Sequence, residues 1–389
     1  MLESPKRFAE QPAATSIKAH KSRIAIFCTF FVHGCAFGTW SSLIPMIKAR
    51  LSISDSQFGW SLFMIVAGSL FAMLASRSLI ARFGSRRVVR VSAPLLLATV
   101  VLATLTHVPF LFALVLLVLG MAGNSMDVAM NAQAVEAERS SDKALMSSFH
   151  AMWSLGGLTG AVLGGLLVKN AGSSFGALIA ALLLSTLFEA NQGKLLAAGP
   201  RQGGTVARPL SAKWLLIVTG FLAGVCMSTD AAVRDWSPLY LTGNLALDVG
   251  YSGLGYGAFA SSMAICRLAG DRVRTFIGEK QLLTISACLA IVGLAIVAFA
   301  SVSVVALSGF ALLGIGVANI FPTLLSMAGR RGDASGIVVV FATGYIIALA
   351  AAPSFGTLAE ATSLANIYLL LAAMFMLAGT ASIRIANRF

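Results

Sequence analysis

Three polar side chains interrupt an apolar stretch of sequence that is long enough to cross a membrane. Asn124, Asp127 and Asn131 are spaced i, i+3 and i+7, which places them on one face of a helix. A charge at the bilayer centre costs roughly 2.5–3.5 kcal/mol, so such residues face the bundle interior or a water-filled cavity. Because desolvation favours a neutral carboxyl group, Asp127 could take up a proton on one side of the membrane and release it on the other. We therefore predict Asp127 as a proton-coupling site and Asn124 and Asn131 as solute contacts, with a helix–helix hydrogen bond as the structural alternative.

A second charged group follows in a later apolar stretch. Asp230 and Arg234 are four residues apart and can pair along one helical face. Asp230 could assist proton coupling and Arg234 could contact an anionic group of a solute, or the two could simply neutralise each other. Asp235 is rotated to another face, where we predict either a gating contact or a hydrated site near the membrane surface.

Two further stretches combine histidine with tryptophan. His33, Trp40 and Ser41 share one apolar segment, and His150 and Trp153 share another. Aromatic faces stack on sugar rings or over cationic groups, while His and Ser can bond hydroxyl groups. We predict all five as solute contacts, with packing as the structural alternative.

The last two candidate groups involve proline. Asn319 and Thr323 lie on one helical face and are predicted solute contacts. Pro322 between them leaves a backbone carbonyl without its helical partner, so a kink is expected there and at Pro353. We predict Pro322, Tyr345 and Pro353 as gating residues.

The amino-acid composition indicates that the segments carrying these residues lie in a membrane. The chain has 389 residues, of which 58% are hydrophobic and only 11% charged, whereas soluble domains carry about 25% charged residues. A helix needs roughly 20 apolar residues to cross the hydrocarbon core. On this measure the sequence predicts an all-α membrane protein with twelve transmembrane helices. Their approximate positions are 24–47, 58–80, 88–106, 108–134, 145–168, 174–190, 214–240, 252–270, 281–300, 303–327, 335–358 and 365–383.

The basic residues predict the orientation of these helices. The net charge is +13, and with the N-terminus in the cytoplasm all but four of the 28 Lys and Arg fall at cytoplasmic ends. This distribution argues against nucleic acid and for membrane lipids as partners. We predict a multi-pass protein of the bacterial inner membrane, expected to be a monomer, with both termini cytoplasmic. Its parts are a tail (1–23), a six-helix bundle (24–190), a cytoplasmic linker (191–213) and a second six-helix bundle (214–389).

Several motifs that would indicate other functions are missing. The sequence has no phosphate-binding Gly-x-x-x-x-Gly-Lys-Ser/Thr motif, no His/Cys cluster with metal-ligand spacing and no Ser-His-Asp arrangement in a loop. Its five cysteines lie inside the apolar segments without a Cys-x-x-Cys pair, which predicts packing residues and no disulfide framework. An enzyme is not expected, and neither a cofactor nor a metal is predicted.

The two halves resemble each other weakly, as expected for a secondary transporter built from repeats. At an offset of 194 residues, Leu119-Gly120 corresponds to Leu313-Gly314; at an offset of 190, Arg77 corresponds to Arg267 and Arg82 to Arg272. A glycine ridge at Gly156, Gly160 and Gly164 predicts a close helix–helix approach.

These motifs resemble a known family. Leu79-Ile-Ala-Arg82-Phe-Gly84-Ser-Arg86-Arg87 and Arg267-Leu-Ala-Gly-Asp271-Arg272 are similar to the cytoplasmic signature of the major facilitator superfamily. The resemblance implies two pseudo-symmetric six-helix bundles and an inward gate that uses Arg82, Arg86, Arg267, Asp271 and Arg272. Ala81 stands where that family usually has Asp, so the gate would depend more on Asp271.

Further stretches resemble one branch of that family. Met126-Asp127-Val-Ala-Met-Asn131 and Phe149-His150-Ala-Met-Trp153 are similar to the fucose-permease group. Asp230-Ala-Ala-Val-Arg234-Asp235-Trp236-Ser-Pro238 is closer to bacterial relatives of the rhizopine (inosamine) transporters. The first apolar segment lacks the Asp that fucose permeases carry before a Leu-Leu-Pro step, which argues against fucose.

The sequence thus predicts a transporter that moves a small polar solute (a sugar, polyol or amino-cyclitol) by alternating access, coupled to protons through Asp127. Two alternatives stay open. One is a drug or cation efflux pump of the same fold. The other is an uncoupled uniporter or a non-transporting membrane sensor.

Overall fold

A computed structural model describes residues 11–139, 145–197 and 213–386. Most of the predicted linker, residues 198–212, and the start of the predicted tail, residues 1–10, lie outside this range. The described backbone is helical throughout apart from short connections and contains no strand, which confirms the predicted all-α class.

Eleven α-helices follow one another in the described chain. Their bounds are α1 Gln11–Leu51, α2 Asp55–Phe83, α3 Ser85–Leu105, α4 Pro109–Arg139, α5 Met146–Ala171, α6 Ser173–Gln192, α7 Lys213–Leu239, α8 Leu254–Ala298, α9 Ser303–Val317, α10 Ile320–Ala361 and α11 Ala365–Ala386. A π-helical turn, Tyr240–Asn244, extends α7, and a 3-10 turn, Val249–Tyr251, precedes α8.

Most of the predicted transmembrane segments appear as separate stretches. Ten stretches of the described helices are long and apolar enough to cross a membrane, and a shorter apolar stretch, Ala365–Ala378, corresponds to the twelfth prediction. The eighth predicted segment, 252–270, lies in the first part of α8. Gly278 breaks α8 with φ 80° and ψ 162°, so α8 contains both the eighth and the ninth predicted segments.

The backbone repeats with the predicted 194-residue offset. Gly84 between α2 and α3 has φ 77°, and Gly278, 194 residues later, has φ 80°. This left-handed region is readily open only to glycine, so both breaks depend on the residue type.

The same offset relates two helix contacts. A Cβ on Gly120 would collide with the carbonyl oxygen of Ile65, and a Cβ on Gly314 with the carbonyl oxygen of Phe259. Both glycine–carbonyl pairs are related by 194 residues, so the repeat is a repeat of packing as well as of sequence.

The 190-residue offset predicted for the arginines does not match this register. Arg82 precedes its helix break at Gly84 by two residues, whereas Arg272 precedes Gly278 by six. The second-half motif therefore lies about one helical turn deeper in its helix than its first-half counterpart.

Glycines also bring α1 and α5 close together, as the ridge predicted. A Cβ on Gly156 or Gly160 would collide with the backbone carbonyls of Phe31 or Cys35, and one on Gly34 with the carbonyl of Trp153. Side chains larger than hydrogen would force the two helices apart.

The first half, α1–α6, meets the second half, α7–α11, mainly near one end of the bundle. We call this the far end, because it lies opposite the tail end, where α1 begins. Gly59 of α2 packs on Gly356 of α10, and Gly165 of α5 packs on the backbone of Gly250 before α8. Ser54 Oγ donates to Glu360 across the halves (2.6 Å), and Lys169 pairs with Asp248 (3.0 Å).

Candidate functional site

A central cavity of about 290 Å³ lies between the two halves at mid-depth of the bundle. Its walls come from α1, α2, α7, α8, the junction of α9 with α10, and the later part of α10. Most of the lining is apolar, and the polar exceptions are few. They are Ser69, Asp230, Arg234, Arg267 and Tyr345. A mainly apolar cavity with a few convergent polar groups is the usual form of a small-molecule site.

The charged residues of α7 form one connected cluster beside this cavity. Arg234 donates two hydrogen bonds to the carboxylate of Asp235, at 2.9 and 2.8 Å. Its contact with Asp230, predicted from the i, i+4 spacing, is longer at 3.5 Å. Arg234 also lies over the ring of Phe37, 5.3 Å from its centroid. Since Asp235 occupies most of the guanidinium, Asp230 is the carboxylate that remains available on the cavity side.

Asp235 is buried, which corrects the alternative of a hydrated site near the surface. Its side chain is 5% exposed, and it accepts a hydrogen bond from the indole Nε1 of Trp40 at 3.0 Å. Trp40 is fully buried on α1 in the other half. This bond joins the halves on the far-end side of the cavity, and Trp40 is not among the residues that line it.

Ser41 also joins the halves, through a carbonyl that proline releases. Pro238 cannot donate a backbone hydrogen bond to the carbonyl of Arg234, four residues earlier. Ser41 Oγ donates to that oxygen instead, at 2.6 Å. The predicted solute contacts Trp40 and Ser41 thus act together as far-end contacts in this conformation.

Pro322 likewise leaves a backbone carbonyl without its helical hydrogen bond, at the point where α9 leads into α10. Helix α9 ends at Val317, and α10 starts again at Ile320, so the predicted tenth segment is broken just before Pro322. The carbonyl of Ala318, which Pro322 cannot bond, accepts a hydrogen bond from Nε of Arg267 at 3.1 Å. The sequence analysis expected such a partner for the freed carbonyl without identifying it.

Arg267 does not lie at the cytoplasmic end of its helix, where the sequence analysis counted it. It lines the central cavity and lies within electrostatic range of Asp230. The reason is the one-turn shift of the second-half motif: Arg267 precedes its helix break by eleven residues, whereas its counterpart Arg77 precedes Gly84 by seven.

The polar face of α4 lies beside the cavity. Asn124 donates to the hydroxyl of Tyr345, a cavity residue, at 3.0 Å. Asn131 donates to Oδ1 of Asp127 at 3.1 Å and to the backbone carbonyl of the same residue at 2.9 Å. Asp127 is within electrostatic range of Tyr345. Asp127 is not itself a lining residue in this conformation, and none of the described Lys or Arg side chains forms a salt bridge with it.

His33 is held by hydrogen bonds at both ring nitrogens. Nδ1 accepts from the indole of Trp153 at 2.8 Å, and Nε2 contacts the carbonyl of Gly123 at 3.1 Å. Because an indole N–H can only donate and a carbonyl can only accept, the ring is the neutral tautomer with its proton on Nε2. His33 and Trp153 are thus brought together, as a link between α1, α4 and α5.

Three other predicted solute contacts lie away from the cavity lining. His150 packs edge-on against Phe30, with ring centroids 5.4 Å apart. Asn319 contacts the sulfur of Cys266 at 3.5 Å, and Thr323 donates to the backbone carbonyl of Asn319 at 2.7 Å. Asn319 and Thr323 are therefore engaged around the break that precedes α10.

The predicted gating residues are scattered. Arg82 is exposed and lies over the ring of Phe83, and Arg86 donates to the carbonyl of Gly193 at 2.6 Å. Pro353 lies inside α10 where α10 meets α2. The side chains of Asp271 and Arg272 lie outside the described part of the structure.

Sequence reasoning missed Tyr256, because a single tyrosine in an apolar segment gives no signal. Tyr256 is fully buried on α8, its ring contacts the position of Gly157, and its hydroxyl has no hydrogen-bond partner among the described residues. It lies within electrostatic range of Asp230 and Arg267. An unpaired buried hydroxyl costs roughly 1–3 kcal/mol, and Tyr256 is not among the residues that line the central cavity.

Together these features define a class of protein. A closed far end, a central cavity with a few polar groups between two repeated helical halves, and helices interrupted by proline beside that cavity are typical of membrane transporters.

Comparisons with known proteins identify the family within that class. Residues 26–353 match the model of the Major Facilitator Superfamily. The chain is 32% identical over 365 residues to an uncharacterized MFS-type transporter of Yersinia pestis, covering 92% of this chain and 94% of the relative. It is 31% identical over 373 residues to the membrane protein MosC of Rhizobium meliloti, covering 92% of this chain and 89% of MosC. The chain therefore belongs to the Major Facilitator Superfamily.

Solved structures agree with this assignment at the level of the fold. The crystal structure of the nucleoside transporter NupG superposes with a TM-score of 0.71 at 14% identity, covering 94% of this chain and 99% of NupG. A point mutant of NupG gives a TM-score of 0.72 at 13% identity, covering 92% of this chain and 98% of the mutant. The fold predicted from the sequence, the twelve-helix major facilitator fold, is confirmed.

Proposed function

We propose that this membrane transporter moves a small polar organic solute across the bacterial inner membrane by alternating access, with proton coupling through Asp127. The observation that carries the proposal is the central cavity, which lies between the halves beneath a closed far end. In this proposal both termini are cytoplasmic, as the positive-inside rule predicts, and the conformation is the one closed toward the periplasm.

The size and polarity of the cavity support a small solute. Its volume of about 290 Å³ is at the lower limit of typical ligand sites. Asp230 supplies an acceptor, while Arg267 and Tyr345 supply donors on neighbouring walls. Paired donors and acceptors suit the hydroxyl or amino groups of a sugar, polyol or amino-cyclitol. A bulky lipophilic cation, as the drug-efflux alternative requires, would need more room.

The surroundings of Asp127 support its part in coupling. Its described hydrogen-bond partner is Asn131 of its own helix, and it interacts electrostatically with the cavity residue Tyr345. With no described cation paired to it, Asp127 is free to exist with or without a proton. Asp230, by contrast, has a cationic partner, Arg234, at 3.5 Å. Asp127 is therefore the proton carrier and Asp230 its helper and a solute contact.

The test begins with a thermal-stabilisation screen of the purified protein against sugars, polyols, amino sugars and cationic dyes. Compounds that stabilise it are then added to liposomes that contain the protein and a pH-sensitive dye. We expect solute-driven proton movement in the wild type and none in Asp127→Asn, while counterflow of the solute continues in part. The matched control is Glu189→Gln, which neutralises a carboxylate at an exposed site on α6.

The other outcomes select among the alternatives. Wild-type solute flux that is the same with and without a pH gradient would indicate a uniporter and refute the proton coupling. Binding without flux would indicate a sensor. Stabilisation by the dyes alone would indicate efflux of cations.

A further inference from the structure

An apolar groove opens on the outer surface of the first half, between α2, α3 and α4. Its volume is about 570 Å³, larger than that of the central cavity. The walls are almost wholly apolar and include Phe83, Leu95 and Met121, all of which are exposed. Val91, another lining residue, is 67% exposed. In a membrane this groove faces lipid, so an acyl chain is the natural material to fill it.

One end of the groove is basic. Arg87 and Arg90 belong to its lining, and no described lining residue is acidic. Arg87 is exposed and has no hydrogen bond with a described residue. Arg90 reaches the carbonyl of Gln192 through one nitrogen at 3.4 Å, while its Nε is buried without a partner among the described residues. Two guanidinium groups at the mouth of an apolar groove are complementary to an anionic head group on an acyl chain.

The start of α3 adds to this positive charge. Helix α3 begins at Ser85 after the break at Gly84, with no side-chain cap and no acidic residue in its first turn. The Oγ of Ser85 is instead in contact with Gln133 of α4 at 2.8 Å. The free N–H groups and the positive end of the helix dipole therefore favour an anion at the same place as the two arginines.

The length of the groove matches one leaflet of a bilayer. From Arg87 to Leu95 the axis of α3 rises about 12 Å, and one leaflet is about half of a hydrocarbon core that is about 30 Å thick. The basic end lies at the tail end of the bundle, where the excess of Lys and Arg is found. A phosphate there would lie at the membrane surface while its chain extends toward the bilayer centre.

We propose that this groove binds an anionic phospholipid. Its phosphate lies between Arg87, Arg90 and the first turn of α3, and one acyl chain lies over Val91 and Leu95. The site is separate from the transport cavity, so it is independent of the function proposed above.

The proposal is tested by native mass spectrometry of the full chain in detergent. The protein is titrated with phosphatidylglycerol and, in parallel, with phosphatidylcholine of the same acyl chains. We expect a saturable adduct that prefers phosphatidylglycerol. Each arginine near a membrane surface contributes about 1 kcal/mol, so Arg87→Gln and Arg90→Gln should each weaken the adduct about five-fold. Arg274→Gln, on α8 in the other half, is the matched control and should leave it unchanged.

A second pair of variants separates the groove from simple surface charge. Val91→Trp should fill the groove and remove the preference, whereas Leu102→Trp, at a 46% exposed site further along α3, should not. Equal binding of the two lipids would overturn the proposal. The proposal would also be overturned if Val91→Trp still formed the adduct with its preference for phosphatidylglycerol, or if inorganic phosphate displaced the lipid completely. If Arg90→Gln does not fold, Arg87→Gln, at an exposed side chain, decides the question alone.

Discussion

Replacing Asp235 by Asn tests whether the α7 charge cluster holds the far end closed. Asp235 accepts two hydrogen bonds from Arg234 and one from Trp40 of the other half. Breaking a buried ion pair by removing one partner costs about 3–5 kcal/mol. We expect about 3 kcal/mol, the lower limit of that range, because Asp230 remains 3.5 Å from the guanidinium and takes up part of the charge.

The matched control is Asp230→Asn, the same chemical change five residues earlier on the same helix. Asp230 is 32% exposed and makes one long contact, so we expect a loss of less than about 1 kcal/mol, typical of a solvated ion pair. Thermal unfolding in detergent measures both variants. With an unfolding entropy of about 2.1 cal/mol/K per residue, a loss of about 3 kcal/mol lowers Tm by about 4 °C for a chain of this length.

The same two variants also test whether the loss of Asp235 opens the far end. Spin labels on the α1–α2 and α10–α11 connections should move apart in Asp235→Asn and stay in place in Asp230→Asn. Equal Tm values for the two variants, or a larger loss for Asp230→Asn, would refute the assignment of Asp235 as the main partner of Arg234.

Two further predictions concern the helix seams and the far-end ion pair. Gly120→Ala and Gly314→Ala should each lower Tm, since each new methyl group meets a backbone carbonyl of the neighbouring helix; an unchanged Tm for both would contradict the packing described. The backbone N–H of Gly250, and then the ammonium of Lys169, hold the pKa of Asp248 below its usual range. The ion pair between Lys169 and Asp248 should therefore stabilise the closed far end fully above the ordinary carboxyl pKa of about 4. This stabilisation should be lost only as the pH falls through the lowered pKa of Asp248. Spin-label distances across the far end should be constant from about pH 7 to about pH 5, well above that ordinary pKa, and an opening already in this range would show that another group is responsible.

The fold was predictable because its signals are local. Apolar runs of membrane-spanning length, interrupted by charge, located the helices, and the glycines at 120 and 314 revealed the repeat. The break at Gly278 falls in the gap between the eighth and ninth predicted segments, 252–270 and 281–300, but the sequence analysis did not identify this glycine as the residue that turns the chain. The conformation of Gly278 depends on how the two parts of α8 pack, and this packing cannot be predicted from the sequence of α8 alone.

The site was predictable only in part, because its contacts join distant segments. The polar face of α4 follows from spacing alone, and the structure places it beside Tyr345. Trp40 and Asp235 are 195 residues apart, and nothing in either stretch indicates that they bond. Arg267 was predicted at the cytoplasmic end of its helix, whereas the one-turn shift of the second-half motif places it in the cavity wall.

The carbonyl of Arg234 shows how the far end can open at little cost. Pro238 has already removed its helical partner, so the bond from Ser41 is the one that holds it while the halves are together. When the halves separate, water reaches both groups, and a bridging water is nearly as good a partner as the hydroxyl it replaces. In the alternating access proposed above, parting the halves at this point would exchange one hydrogen bond for others and leave the helix itself intact, so the contact between Ser41 and the Arg234 carbonyl could form again when the halves close.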